Sequence, residues 1–145
     1  MIGLIQRVTE ARVEVDTQTI ARIRQGIVAL VGIEKTDTPI NADRLLARML
    51  GYRIFADAEG KMNLGLTDIQ GELLLVPQFT LVADTHKGMR PSFSAAAPPA
   101  LGRELFLYLL EQARSKYGQV AAGQFGADMQ VHLTNDGPVT FRLKV

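Results

Sequence analysis

Apolar and polar positions alternate from the first residues. Residues 2–8 (Ile-Gly-Leu-Ile-Gln-Arg-Val) and 11–15 (Ala-Arg-Val-Glu-Val) follow a two-residue period, which predicts two strands, the second half exposed. Asp16 through Gln18 reads as a turn, and Thr19–Arg24 alternates again. Gln25-Gly26 punctuates. Ile27-Val28-Ala29-Leu30-Val31-Gly32-Ile33 then has the continuous apolar character of a buried strand. Thr38-Pro39 signals a helix start, with Thr38 as N-cap and proline at the first helical position. The helix is expected to reach about Leu50, with Ile40, Ala42, Leu45, Leu46, Met49 and Leu50 inward and Asp43, Arg44 and Arg48 outward. Gly51 suits its C-terminal stop. Tyr52–Phe55 reads as a short strand and Asp57-Ala58-Glu59-Gly60-Lys61 as a turn.

The pattern changes character at Leu73-Leu74-Leu75-Val76-Pro77-Gln78-Phe79-Thr80-Leu81. Four branched apolar residues after Gly71 predict a strand covered on both faces. Pro77 removes a backbone donor, so regular pairing should stop, bulge or reach a sheet edge there. If extended geometry resumes, Gln78 and Thr80 share a face, roughly 7 Å apart. A carboxamide and a hydroxyl placed where a core strand breaks are either satisfied loop polars or a site. Residues 83–97 follow as a long loop, a length that goes with function or mobility. Pro98-Pro99 opens a second helix to about Tyr117, with Leu105, Leu109 and Ala113 as its inner stripe, and Gly118 ends it. Two strands, Ala127–Thr134 and Val139–Val145, are joined by Asn135-Asp136-Gly137-Pro138, a strong hairpin signal. That tetrapeptide is either a tight turn with proline at a strand start or a rigid pair of backbone carbonyls aimed at a ligand, with Thr140 within reach.

Many strands and two separated helices, without a repeating βα rhythm, predict an α+β fold. Its core is a largely antiparallel sheet or small barrel. The 145 residues suffice for one domain with its own core, spanning 1–145. Apolar runs of about five residues fall far short of the ~20 needed to cross a bilayer as a helix. Met1-Ile2-Gly3 leads straight into strand pattern, so no secretory leader is expected. Cysteine is absent, which excludes disulfides, thiolate metal sites and cysteine nucleophiles, and His86 and His132 are too few for a histidine-rich zinc site. The expectation is a cytoplasmic protein with metal-free, cofactor-free chemistry. A net charge of +1 advertises no nucleic-acid partner. A local patch from Lys87, Arg90, Arg103, Arg114 and Lys116 could supply one, the alternative being solvated loop and helix charges.

No familiar catalytic triad is evident. His86 has no serine or aspartate at a recognisable spacing, and G-x-S-x-G is absent. His132, inside an alternating strand, reads as a surface or satisfied residue. Chemistry here would lean on backbone amides and on groups of the substrate.

Pro77-Gln78-Phe79-Thr80-Leu81 together with Asn135-Asp136-Gly137-Pro138-Val139-Thr140 closely resembles the D-aminoacyl-tRNA deacylase family. The resemblance covers the whole chain. It includes Met1-Ile2-Gly3-Leu4-Ile5-Gln6-Arg7-Val8, Asp57-Ala58-Glu59-Gly60-Lys61-Met62-Asn63 and Gly88-Met89-Arg90-Pro91-Ser92-Phe93. It implies a homodimeric hydrolase, without metal or cofactor, that cleaves the ester between a D-amino acid and the terminal adenosine of tRNA. Gln78 and the backbone around Phe79 and Thr80 would bind the ester and its developing oxyanion. The neighbouring ribose hydroxyl would assist in place of a protein base, and Thr80 ranks lower as a nucleophile because no base is identifiable beside it. Gly137-Pro138 would be a cis pair inserted into the partner subunit's pocket, rejecting L side chains by clash and admitting glycine. Arg7 and Met129 would help hold that pair. Pro77 departs from the family's usual serine; a sister branch acting on mischarged L-amino acids carries proline there but lacks an aromatic at the position of Phe79. A third reading, a non-catalytic RNA-binding module, is less attractive at this net charge.

Overall fold

The computed structural model describes all 145 residues. Its organising strand is β1 (Ile2–Val15), one continuous strand where the sequence suggested two. One edge of β1 pairs antiparallel with β3 (Gly26–Gly32) along residues 2–8 and then with β2 (Gln18–Ile23) along residues 11–15. Its other edge pairs antiparallel with β8 (Gln130–Lys144). Beyond β3 the sheet turns parallel, through β6 (Glu72–Pro77) to β7 (Val120–Ala122). A separate small hairpin joins β4 (Phe55–Ala56) to β5 (Met62–Leu64). Its turn is organised by the Asp57 carboxylate, which accepts bonds from the Glu59 and Lys61 amides and the Asn63 side chain. The fold is α+β, a strand-rich, nearly closed barrel flanked by two helices, as the pattern predicted.

β6 is covered on both sides. Leu73 and Leu75 face the larger core, shared with the helices α1 (Pro39–Gly51) and α2 (Pro99–Lys116). Leu74 and Val76 face a second core, where Val8, Val13, Ile23 and Val28 line the inside of the curled sheet. Two-residue alternation on a doubly buried strand produces this division. α1 begins as expected: the Thr38 N–H and hydroxyl both donate to Asn41 Oδ1, at 2.9 and 2.8 Å. Ala42, Leu45, Leu46 and Met49 are buried, but Ile40 is 63% exposed. At ~100° per residue it sits roughly opposite Ala42, off the inward stripe. α2 buries Leu105, Leu109 and Ala113 as predicted, and ends where Gly118 takes φ +85°. Asp43 ties the helices together, bonded to Lys116 at 3.0 Å and to the Tyr108 hydroxyl at 3.1 Å. None of the helices is long and apolar enough to cross a membrane.

The Asn135-Asp136-Gly137-Pro138 hairpin does not form. Both halves of β8 run in one direction along β1, with Asn135 opposite Val8 and Thr140 opposite Gln6. Asp136 to Val139 therefore stand out from the ladder as a protruding loop. Pro138 has no N–H to give, and Gly137 takes φ +129°, so neither fits a regular rung. The neck closes locally, the Val139 N–H donating to Asn135 Oδ1 at 2.8 Å. A long β1 with a free edge lets the chain rejoin the same partner instead of reversing.

Candidate active site

β6 ends at Pro77, its last paired residue, opposite Val31. The Gln78 N–H still reaches the Val31 carbonyl at 2.7 Å. Extended geometry does not resume after it. The chain turns into one turn of 3-10 helix over Phe79–Val82, in which the Gln78 carboxamide donates to the Thr80 hydroxyl. The turn packs directly on Gly32, where an added Cβ would lie 3.0 Å from Leu81 and Val82 and 3.2 Å from the Gln78 carbonyl. A side chain there would push the turn away.

The Leu81 N–H donates to the Gln78 carbonyl and the Ala83 N–H to the Thr80 carbonyl, but the N–H groups of Phe79 and Thr80 have no partner in the chain. They are the leading donors of a helical turn, which the turn itself leaves unused. Unpaired amide donors side by side suit an oxygen that carries or gains negative charge. Gln78 and Phe79 line a cavity of about 520 Å³, walled also by Val76, Pro77, Phe125 and Met129 among others, while Thr80, the next residue of the turn, does not line it. Most of this lining is apolar, and Asp128 is its one charged residue. Phe79 is itself 62% exposed, its ring 5.2 Å from that of Phe93. Thr80 has no histidine or carboxylate bonded to its hydroxyl; its partner is Gln78. His86 lies on the 83–97 loop, 2.7 Å from Asp84, whose carboxyl is held below its ordinary value by the His86 amide and then its ring. His132 stands on β8, 3.3 Å from Glu14 and apart from the cavity.

The other predicted residues form a second group. Arg7 Nε lies 3.1 Å from both the carbonyl and a carboxylate oxygen of Asp136, and its Nη1 donates to the Ile54 carbonyl at 2.6 Å. A Cβ on Gly137 would meet Arg7 at 3.1 Å and Val139 at 2.7 Å. The Thr140 hydroxyl accepts from Asn135 at 2.9 Å and from Gln6 at 3.4 Å. The Gly137–Pro138 bond is cis. Arg7, Gly137, Pro138 and Thr140 are thus brought together at the protruding loop, and none of them lines the cavity. Met129 belongs to the cavity wall instead, its sulfur accepting the Gln124 N–H at 3.3 Å.

Phe125 and Asp128 were not singled out from the sequence. One signal was available: Gly102 interrupts a helical pattern and lies against the Phe125 ring, 3.3 Å from where a Cβ would be. Phe125 also packs at a tilt against Phe106, with ring centres 6.3 Å apart. It joins the cavity to the larger core.

The D-Tyr-tRNA(Tyr) deacylase family model matches residues 4–144. A D-aminoacyl-tRNA deacylase of Pseudomonas fluorescens is 62% identical over 144 residues, covering 99% of each chain. One of Pseudomonas syringae pv. syringae is 65% identical over 141 residues, covering 97% of each. Among solved structures, the c-Myc DNA Unwinding Element Binding Protein is similar with a TM-score of 0.96 at 39% identity, over 100% of this chain and 99% of that one. With a turn of unpaired amides over an apolar cavity and a family match from end to end, the chain belongs to the D-Tyr-tRNA(Tyr) deacylase family.

Proposed function

We propose that this protein hydrolyses the ester joining a D-amino acid to the 3′-terminal adenosine of tRNA. One observation carries the chemistry: the two consecutive unpaired amide donors of Phe79 and Thr80, on a turn whose Gln78 and Phe79 line a cavity that can hold a nucleoside. Water adds to the ester carbonyl, and its oxygen gains the negative charge that these N–H groups face. The bond to the ribose oxygen then breaks, that oxygen takes a proton, and free tRNA and amino acid leave. One such donor is typically worth ~10²–10³ in rate. The vicinal ribose hydroxyl serves where a protein base would otherwise stand. The lack of any base at the Thr80 hydroxyl supports that division of labour.

Selectivity for the D form falls to Gly137–Pro138 of a second copy of the chain, inserted at the cavity mouth. Within one chain the Arg7-held loop and the cavity are separate, which supports a site built from two protomers. The carbonyls of the pair leave no space for an L side chain, and glycyl esters pass for want of one. Pro77 favours a second reading, a deacylase of mischarged L-aminoacyl-tRNA, and Phe79 argues against it. Parallel assays on D-tyrosyl-tRNA, glycyl-tRNA and L-alanyl-tRNA, with chelator present, separate the two. Hydrolysis of the first two, with the L-alanyl ester spared, is the expected result. An L-alanyl ester cleaved as fast as the D-tyrosyl one would transfer the protein to the second reading. A protein that binds all three and cleaves none would be a tRNA-binding module.

A further inference from the structure

We infer that the loop from Asp84 to Phe93 is a docking element for the single-stranded 3′ end of the RNA substrate, beyond the nucleoside held in the cavity. This rests on the deacylase reading. The loop is built rather than structureless. Its neck is closed by a reciprocal pair of backbone bonds between Asp84 and Ser92, at 2.8 and 2.9 Å. Gly88 makes the tip with φ +67°. Its base is fixed to the cavity: Ala96 and Ala97 line the wall, the Ala97 N–H donates to the Ile33 carbonyl at 2.9 Å, and the Phe93 ring packs at a tilt against Phe79.

What the loop presents outward is unpaired. Lys87 and Arg90 are exposed and make no ion pair in the chain, whereas Lys61, Lys116 and Lys144 each have a carboxylate partner. Asp84 is the loop's sole acid, and His86 engages it. Met89 is fully exposed and Phe93 is 40% exposed. Two free cations beside an aromatic pair, attached to a nucleoside-sized cavity, have the composition of single-strand recognition: cations on phosphates and flat rings under bases. A strand leaving the cavity past Phe79 meets the loop at Phe93, where Lys87 and Arg90 take its phosphates while the exposed Phe79 and Phe93 rings offer faces for its bases. Of the other basic residues, only Arg103 also stands beside the cavity, on α2 rather than on the loop. Lys116 is committed to Asp43, and Arg114 lies about three helical turns, ~16 Å, beyond the Arg103 that follows the cavity-lining Gly102.

The test compares D-tyrosyl-tRNA with D-tyrosyl-adenosine, which fills the cavity and carries no 3′ strand. For the double variant K87Q/R90Q, kcat/KM on the tRNA ester is expected to fall about tenfold, through KM. Its log–log salt dependence should become shallower by about 1.4, two single-strand contacts at ~0.7 each. Its kcat/KM on D-tyrosyl-adenosine should match that of the unmodified protein, and Arg114→Gln should match it on both esters. A double variant that equals the unmodified protein on tRNA at every salt concentration would overturn the loop's role, as would an equal loss on both esters. Failure of the unmodified protein on both esters would overturn the deacylase reading itself, and this inference with it.

Discussion

At Phe79 the backbone and the side chain can be separated: the amide has no partner in the chain and is the oxyanion donor proposed above, and the ring packs on Phe93. Phe79→Ala keeps the amide and loses the ring, whereas Phe79→Pro loses both, and proline is tolerated at the first position of a helical turn. Comparing kcat/KM between these two variants isolates the donor, and the proline form is expected to be ~10²–10³ lower. Equal activities would show that the amide does nothing. Thr80→Ala keeps its own N–H, so kcat on D-tyrosyl-tRNA should stay within about tenfold; a loss as large as that of Phe79→Pro would restore Thr80 as nucleophile. Gln78 and Thr80 stand out in the sequence as polar groups after an apolar run ended by proline, a pattern that leaves both loop polars and a site open; Phe79, and any role for the three, came from the family resemblance. The free N–H groups were not legible there. They depend on a tight turn in place of an extended strand, and that turn depends on the absence of a side chain at Gly32, on another strand.

Elements show the same limit at larger size. Periodicity identified β3, β6, α1 and α2 because each buries one stripe or both faces of its own residues. It did not reveal partners, so it split β1 in two, and it passed over the short β5 and β7, whose few residues carry no period. Asn135-Asp136-Gly137 carries true turn chemistry, yet the chain bulges and continues, because β1 extends past the loop and accepts β8 on both sides of it. The protruding loop is held by Arg7, so Arg7→Ala should let it move. The ratio of D- to L-tyrosyl-tRNA hydrolysis is expected to drop at least about tenfold with overall stability little changed; an unaltered ratio would mean the loop holds itself. In β6, Leu74→Ala removes a fully buried side chain between strands and should cost about 3 kcal/mol, lowering Tm by roughly 10 °C. A shift of a degree or two would mean the inner core collapses around the gap.

For the whole molecule, two carboxylates tie distant parts of the chain together. Burial pushes Glu34 up, but bonds from Lys144 and the Met1 ammonium outweigh it and hold the carboxyl below its ordinary value. The Lys116 bond, with that of Tyr108, does the same for Asp43 between the helices. A carboxylate whose pKa is lower folded than unfolded contributes fully above its ordinary value, about 4.3 for Glu34 and about 3.9 for Asp43, and its contribution is lost as pH falls below that through the folded pKa. The urea midpoint should therefore fall between pH 7 and pH 3.5, and fall less in the double variant E34Q/D43N; an identical fall would place the acid sensitivity elsewhere. A site shared between protomers makes its own prediction. Mixing and re-pairing Gln78→Ala with Gly137→Ala chains should restore D-specific turnover, because one site of each mixed pair then combines an intact cavity with an intact loop; no recovery would put both parts in one chain. The most direct measurement is single-turnover hydrolysis of matched D- and L-tyrosyl-tRNA by the purified protein with chelator present. Fast release of D-tyrosine with negligible release of L-tyrosine is the expected result, joining the amide-lined cavity to a chiral filter. Equal rates would contradict the filter assigned to Gly137–Pro138, and no release of either would contradict the deacylase chemistry assigned to Phe79 and Thr80.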